Sequence, residues 1–209
     1  MEILGKLFGS PARVKIIRLF LLSGGEGIET MDVAKRTKVN KNLARREISL
    51  LEGIHFIKQK SFIKDIRLRD KIKKKKVKGW FLNEAFPQLE IFKVLLVGSE
   101  LMDKNEIGNR FKKTGRIKLL AIAGIFVQDK DSRLDILVVG DGLKKGRIES
   151  IIKDIETEIG KELLYAIFDT KEFIYRLNMY DKLIYDVLSY PHERIIEARE
   201  FSTLPLKKS

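Results

Sequence analysis

Apolar residues recur three and four positions apart over Val14, Ile16, Ile17, Phe20 and Leu21, which predicts an amphipathic helix. Ser10-Pro11 opens it with a hydroxyl able to cap and a proline whose missing N–H costs nothing at the first helical position; Gly24-Gly25 ends it. A second, shorter helix is expected from Thr30 with Met31, Val33 and Ala34 as its apolar positions. Thr37-Lys38-Val39-Asn40 then reads as a tight turn in which Asn40 caps the next helix. That third helix, Lys41 to about Gly53, places Ala44, Ile48 and Leu51 toward a core and Lys41, Asn42, Arg45, Arg46 and Ser49 away from it. After it the pattern loosens toward period two. Phe56–Arg67 and Val77–Leu82 are expected to pair as a hairpin. Six of the nine residues between them, 68–76, are Lys or Arg, too much like charge for a packed turn, so a mobile loop is expected there.

Phe86-Pro87 ends the hairpin. Leu89, Ile91, Phe92, Leu95 and Leu96 predict a strongly apolar helix over 87–98, too greasy for a free linker and suited to packing on a domain or on a second copy of the chain. A more polar helical stretch, flanked by Ser99 and Asp103, runs on to Thr114-Gly115. Residues 117–127 are almost continuously apolar, as in a strand buried on both faces. A polar turn, a strand over Leu134–Val139, an amphipathic helix from about Lys144 to Gly160 and a strand over Leu163–Phe168 come next. Helices near Lys171–Leu177 and Asp181–Leu188 complete an α/β domain with a small sheet.

Charge divides the chain where the patterns do. Up to Asn83 there are 21 Lys/Arg against 8 Asp/Glu, a net of +13, and from Glu84 onward 21 of each, a net of zero. A basic module joined to a neutral one points to a polyanionic partner for the first and a separate task for the second. The absence of cysteine excludes disulfides, thiolate nucleophiles and Cys-ligated zinc, and two histidines (His55 and His192) argue against a His-rich metal site or a nucleophilic triad. No apolar run reaches membrane-spanning length and Met1–Leu7 lacks a signal-peptide pattern, so a soluble, cytoplasmic protein without a membrane partner is expected.

A short helix, a tight turn and an amphipathic helix with a cationic free face form the helix-turn-helix layout, whose second helix enters the major groove. Arg and Asn are the side chains that make bidentate contacts with guanine and adenine edges. A lysine run taken alone is most often a solvated loop, but here it joins helix-turn-helix spacing and a basic recognition face. Double-stranded DNA is the expected partner ahead of RNA, because Phe62 and Trp80 are isolated and no row of exposed aromatics is present to stack unpaired bases. The candidate contacts are Lys38, Asn40, Lys41, Asn42, Arg45 and Arg46, with Lys71, Lys73, Lys74, Lys75 and Lys76 in the wing. Residues 10–83, above all Thr37-Lys38-Val39-Asn40-Lys41-Asn42-Leu43-Ala44-Arg45-Arg46-Glu47-Ile48 followed by Leu50-Leu51-Glu52, resemble the winged-helix repressors of the ArsR type over about a third of the chain. The resemblance implies a transcriptional regulator reading two half-sites as a homodimer. The Cys or His clusters of metal-sensing members are missing, so metal sensing is not implied.

Gly124, Ser132 and Asp135 resemble the opening of the minimal, DNA-polymerase-beta-like nucleotidyltransferase fold over roughly residues 115–190. In that family two aspartates two residues apart share one strand face and bind the Mg²⁺ that carries the triphosphate. Here Ile125 follows Gly124, and Ser132-Arg133-Leu134-Asp135 puts Arg133 where the first metal-binding Asp belongs; its fixed positive charge opposes a cation. With one carboxylate left, no metal and no cofactor are expected, and the domain is read as catalytically dead. Asp135 is then as readily a strand-end structural carboxylate as a relic. Gly140-Asp141-Gly142-Leu143-Lys144-Lys145-Gly146 could cradle phosphate before a helix, but it misses the dinucleotide fingerprint and reads as a plain turn. Asp169-Thr170-Lys171-Glu172 reads as a capping box.

The expected fold class is α+β: a winged helix-turn-helix domain over 1–84, a helical connector over 85–114, a nucleotidyltransferase-like domain over 115–195 and a tail over 196–209. The expected function is a DNA-binding transcriptional regulator, not an enzyme, whose second domain serves regulation, dimerisation or binding of a nucleotide or protein effector. The alternative is an active nucleotidyltransferase that uses the basic domain to hold a nucleic-acid or protein substrate.

Overall fold

The computed structural model of the protein describes residues 2–68, 71–98, 101–129 and 131–202, with the backbone alone for residues 2, 66–68 and 71–73. The chain is α+β and forms two compact units, one of residues 1–99 with 156–161 and one of residues 100–155 with 162–209. No helix among the described residues is long and apolar enough to cross a membrane.

The first unit opens with a short helix that the apolar pattern does not announce, α1 (Glu2–Leu7). In α2 (Pro11–Leu22) the Ser10 hydroxyl accepts from the Arg13 N–H, and Val14, Ile16, Ile17 and Phe20 are buried. α3 (Thr30–Thr37) ends at Lys38, which takes the left-handed conformation (φ 49°). α4 (Lys41–Gly53) starts on Asn40, whose side-chain oxygen accepts from Leu43 N–H at 2.9 Å, and buries Ala44, Ile48 and Leu51. One further side chain of α4 is inside. Glu47 is 2% exposed and accepts from Arg13 Nε at 2.8 Å, tying α4 to α2. Replacing Glu47 by alanine strands the half-covered Arg13 guanidinium and is expected to cost about 2–3 kcal/mol, read from the midpoint of urea unfolding.

The hairpin is longer than the sequence pattern suggests. β1 (Ile57–Leu68) and β2 (Lys71–Leu82) pair antiparallel without interruption from Ile57↔Leu82 to Leu68↔Lys71. Residues 71–76, expected in a mobile loop, are therefore strand; Arg69 and Asp70 of that expected loop lie outside the described residues. Pairing makes this possible because it satisfies the backbone while alternate lysines leave on opposite faces, and Asp65 stands across from Lys74. At its base the hairpin gains a third partner, since Ile28 and Trp80 exchange both backbone hydrogen bonds and Trp80 Nε1–H donates to Thr30 Oγ1 at 3.0 Å. Gly79 is required there, because a Cβ would stand 2.5 Å from the Phe62 ring.

The apolar segment after the hairpin packs on the same core. α5 (Leu89–Lys93) passes into a π-helical turn over Val94–Gly98, with Leu89 and Leu96 buried. Phe92 meets Phe8, Phe56 and Phe86 at centroid separations of 5.7–5.9 Å. The opposite side of this segment leaves Ile91, Val94 and Leu95 exposed.

The second unit begins with α6 (Lys104–Phe111), capped by Asp103, with Ile107 and Phe111 buried. The expected 85–114 connector is thus divided, its first helix in one unit and its second in the other. β3 (Arg116–Ala123), β4 (Ile136–Asp141), α7 (Lys145–Ile159), β5 (Tyr165–Asp169), α8 (Thr170–Asn178), α9 (Lys182–Ser189) and β6 (His192–Glu197) complete the order. The sheet order is β5-β4-β3-β6, with β4 and β5 parallel across the α7 crossover and the other pairs antiparallel. Leu119, Ala121, Leu137 and Val139 on one sheet face join Phe173, Ile184, Val187 and Phe201 in a single core.

Two expectations fail here. Residues 196–202 of the expected tail are part of the fold: β6 pairs with β3 through Glu197, and Phe201 is 2% exposed in the core; the rest of it lies outside the described residues. His192-Glu193-Arg194-Ile195-Ile196-Glu197 is an edge strand, where few apolar side chains are needed. The capping box at Asp169 is also not made. Asp169 occupies the N-cap position of α8, but its side chain accepts no cap hydrogen bond.

Candidate nucleic-acid interface

On α4 the core side chains fall at 44, 48 and 51, which leaves Asn42, Arg45, Arg46 and Ser49 (i, i+3, i+4, i+7) as a stripe on the other side. All four are exposed or half-exposed at the helix surface, as are Lys38 and Lys41. Among the described residues no carboxylate pairs with Arg45 or Arg46. Asn40 is exposed as well, and while its oxygen accepts the cap bond its two amide donors can meet a ligand.

Three acids, on α4 and at the start of α3, are paired with other cations. Glu47 is inside with Arg13. Glu29 and Asp32, at the start of α3, both clasp Lys64 of β1 at 2.6 Å, and these two hydrogen bonds, that to Asp32 first, hold the Lys64 ammonium above the ordinary lysine range. Lys64 faces Lys75 across the hairpin. Alternation then sends Lys74, Lys76 and Lys78 to one face and Lys75 to the other, and Lys74, Lys75 and Lys76 are exposed. Lys71 and Lys73 continue the strand, but their side chains lie outside the described residues. The unit therefore carries two cationic elements, a helix face rich in Arg and Asn and a lysine-bearing β-arm.

The second unit brings Gly124 and Asp135 together, with Asp135 bonded to backbone donors. Asp135 is 8% exposed. Its Oδ1 accepts from Ile125 N–H at 2.9 Å and its Oδ2 from Leu164 N–H at 2.8 Å. Gly124, at φ 54°, turns the chain out of β3 into the 3₁₀ turn Gly124–Val127, and a Cβ there would meet Asp135 Oδ1 at 2.3 Å. That turn is why the strand expected over 117–127 stops at Ala123. Ser132 donates its hydroxyl to Leu134 O at 2.8 Å, and Arg133 pairs through Nε with Asp186 at 2.7 Å. Both carboxylate oxygens of Asp135 are thus turned to backbone donors. In the 140–146 loop the Lys144 N–H donates to Thr114 O at 2.7 Å and the Lys145 N–H to Leu143 O at 3.1 Å, so these two amides serve the turn.

Sequence reasoning missed Glu47 and the Lys64 clasp. A carboxylate in the apolar register of a helix, as Glu47 is, three residues after Ala44, was the available signal for the first. The second joins residues 32 and 35 apart and leaves no local trace. No protein-family model matches the chain, and no curated protein or solved structure does either.

Proposed function

We propose that the protein is a DNA-binding transcriptional regulator that acts as a homodimer, with the first unit a winged helix-turn-helix module and the second a nucleotidyltransferase-like domain without catalysis. The observation that carries this reading is the α4 stripe: Asn42, Arg45, Arg46 and Ser49 lie at the helix surface, while Glu47, Glu29 and Asp32 are paired with Arg13 and Lys64. Short polar side chains and planar guanidinium groups on a helix face suit base edges in a major groove. The β-arm supplies point charges for phosphates, which add affinity without sequence preference. In the second unit Asp135 works as an acceptor for two backbone amides, which favours a structural or regulatory role there over metal-dependent transfer.

Selection of bound sequences from a random duplex pool tests the proposal directly. Enrichment of a motif, with a dissociation constant that rises steeply with salt, is the expected result; a pool that stays random through successive rounds would refute sequence-specific binding. Replacing Lys74, Lys75 and Lys76 by glutamine should weaken selected and random DNA alike. The slope of log K against log salt should shrink by up to about 0.9 for each phosphate no longer neutralised. Titrations at several salt concentrations measure it.

A further inference from the structure

All five tyrosines of the chain lie between residues 165 and 190, in the neutral unit, and all are exposed. Three of them lie on α8, on the turn after it and on α9. Tyr175 and Met179 are one helical turn apart and 65% and 64% exposed, Tyr180 is 79% exposed, and its ring lies 6.3 Å from that of Tyr185, itself 51% exposed. Four such side chains put on the order of 600 Å² of amphipathic and apolar surface on this helix pair, close to the ~800 Å² each partner contributes to a stable interface. Tyr180 also sits at φ 54°, a backbone region that bulky side chains avoid and that a helix end ordinarily gives to Gly or Asn. Within the chain its ring meets that of Tyr185, which is itself half in solvent.

We propose that this surface receives the same surface of a second copy of the chain. Charge selects that occupant. The segment 170–190 contains three cations (Lys171, Arg176, Lys182) and three anions (Glu172, Asp181, Asp186), and Arg176 pairs with Glu172 and Asp181 at 2.9 and 3.2 Å while Asp186 pairs with Arg133. A copy meeting it two-fold therefore encounters no net like charge, whereas the net +13 of residues 1–83 opposes pairing through the cationic unit. A cationic or anionic partner would find no complementary field there. Tyrosine suits the role because its ring is at ease both wet and covered and loses little freedom on docking. The inference deepens the homodimer part of the function proposed above and does not depend on DNA contact.

Sedimentation velocity of the full chain without DNA, across micromolar concentrations, tests it. A dimer is expected for the wild type, with the dissociation constant raised at least about tenfold by Tyr175→Ser with Tyr185→Ser, and likewise by Tyr180→Gly. The glycine variant keeps the readout clean, because glycine adopts the left-handed backbone freely and the melting temperature should hold or rise. A wild-type monomer throughout that range overturns the proposal. So does a dimer that survives the tyrosine substitutions, whether it is instead dissolved by Ile91→Ser with Val94→Ser on the other exposed apolar stripe or by neither pair. Because no DNA is present, failure here leaves the reading of α4 standing, and a random selected pool leaves this one standing.

Discussion

Replacing Arg45 and Arg46 together by alanine is expected to erase the preference for a selected duplex over random DNA while the protein stays folded. Each guanidinium that makes a bidentate contact with a guanine edge contributes about 1–3 kcal/mol of discrimination, so the pair supplies about 2–6 kcal/mol when both read bases. The fold does not need them. Both side chains are exposed and without carboxylate partners among the described residues, and alanine is the strongest helix former, so α4 loses neither packing nor propensity. Random DNA should lose much less, because only the shared electrostatic part of two charges is removed. The lysine arm behaves in the opposite way: its substitution changes affinity for every sequence and leaves the ratio alone. Gel-shift titrations of both variants on selected and random duplexes, with far-UV circular dichroism as the fold control, separate the two roles. Equal losses on the two DNAs from the arginine variant would show that α4 holds phosphates and reads nothing.

What the sequence displays and what it hides depend on range. The α4 cap and its core stripe are readable because Asn40 reaches Leu43 and Ala44, Ile48 and Leu51 repeat within one helix. The start of α9 is similarly local, since the Asp181 side chain accepts from the Leu183 and Ile184 N–H groups. The β-arm is hidden because its strands owe their extension to each other, and a run of lysines masks the alternation that marks a strand. β6 is hidden for a related reason: as an edge strand beside β3 it carries only two aliphatic residues, Ile195 and Ile196. Asp135 is the instructive case. In the sequence, a carboxylate in an apolar strand near Gly124 reads equally as a metal-ligand relic and as a structural acceptor. What favours the second is a pair of hydrogen bonds across 10 and 29 residues, from Ile125 and Leu164.

A structural role for Asp135 carries a large consequence for stability. Asp135→Ala removes the acceptor for two backbone N–H groups in a nearly buried position, and each such charge-assisted bond contributes about 1.5–3 kcal/mol, so a loss of about 3–6 kcal/mol is expected. Asp135→Asn should recover little of it. Its amide can present an oxygen to one backbone donor only by pointing its own N–H₂ at the other. Gly124→Ala should harm the same clasp from the other side, since the added Cβ would stand 2.3 Å from Asp135 Oδ1 and the backbone there is left-handed. A carboxylate retained for metal chemistry behaves differently: neutralising it commonly leaves stability unchanged or raises it, because active-site charges are held at a cost. Amide hydrogen exchange at Ile125 and Leu164, alongside urea unfolding, reports the clasp directly. Slow exchange at both amides in the wild type, accelerated together in each variant, is the expected pattern. An Asp135→Asn protein as stable as the wild type, with both amides still protected, would return the carboxylate to the groups free to bind a metal.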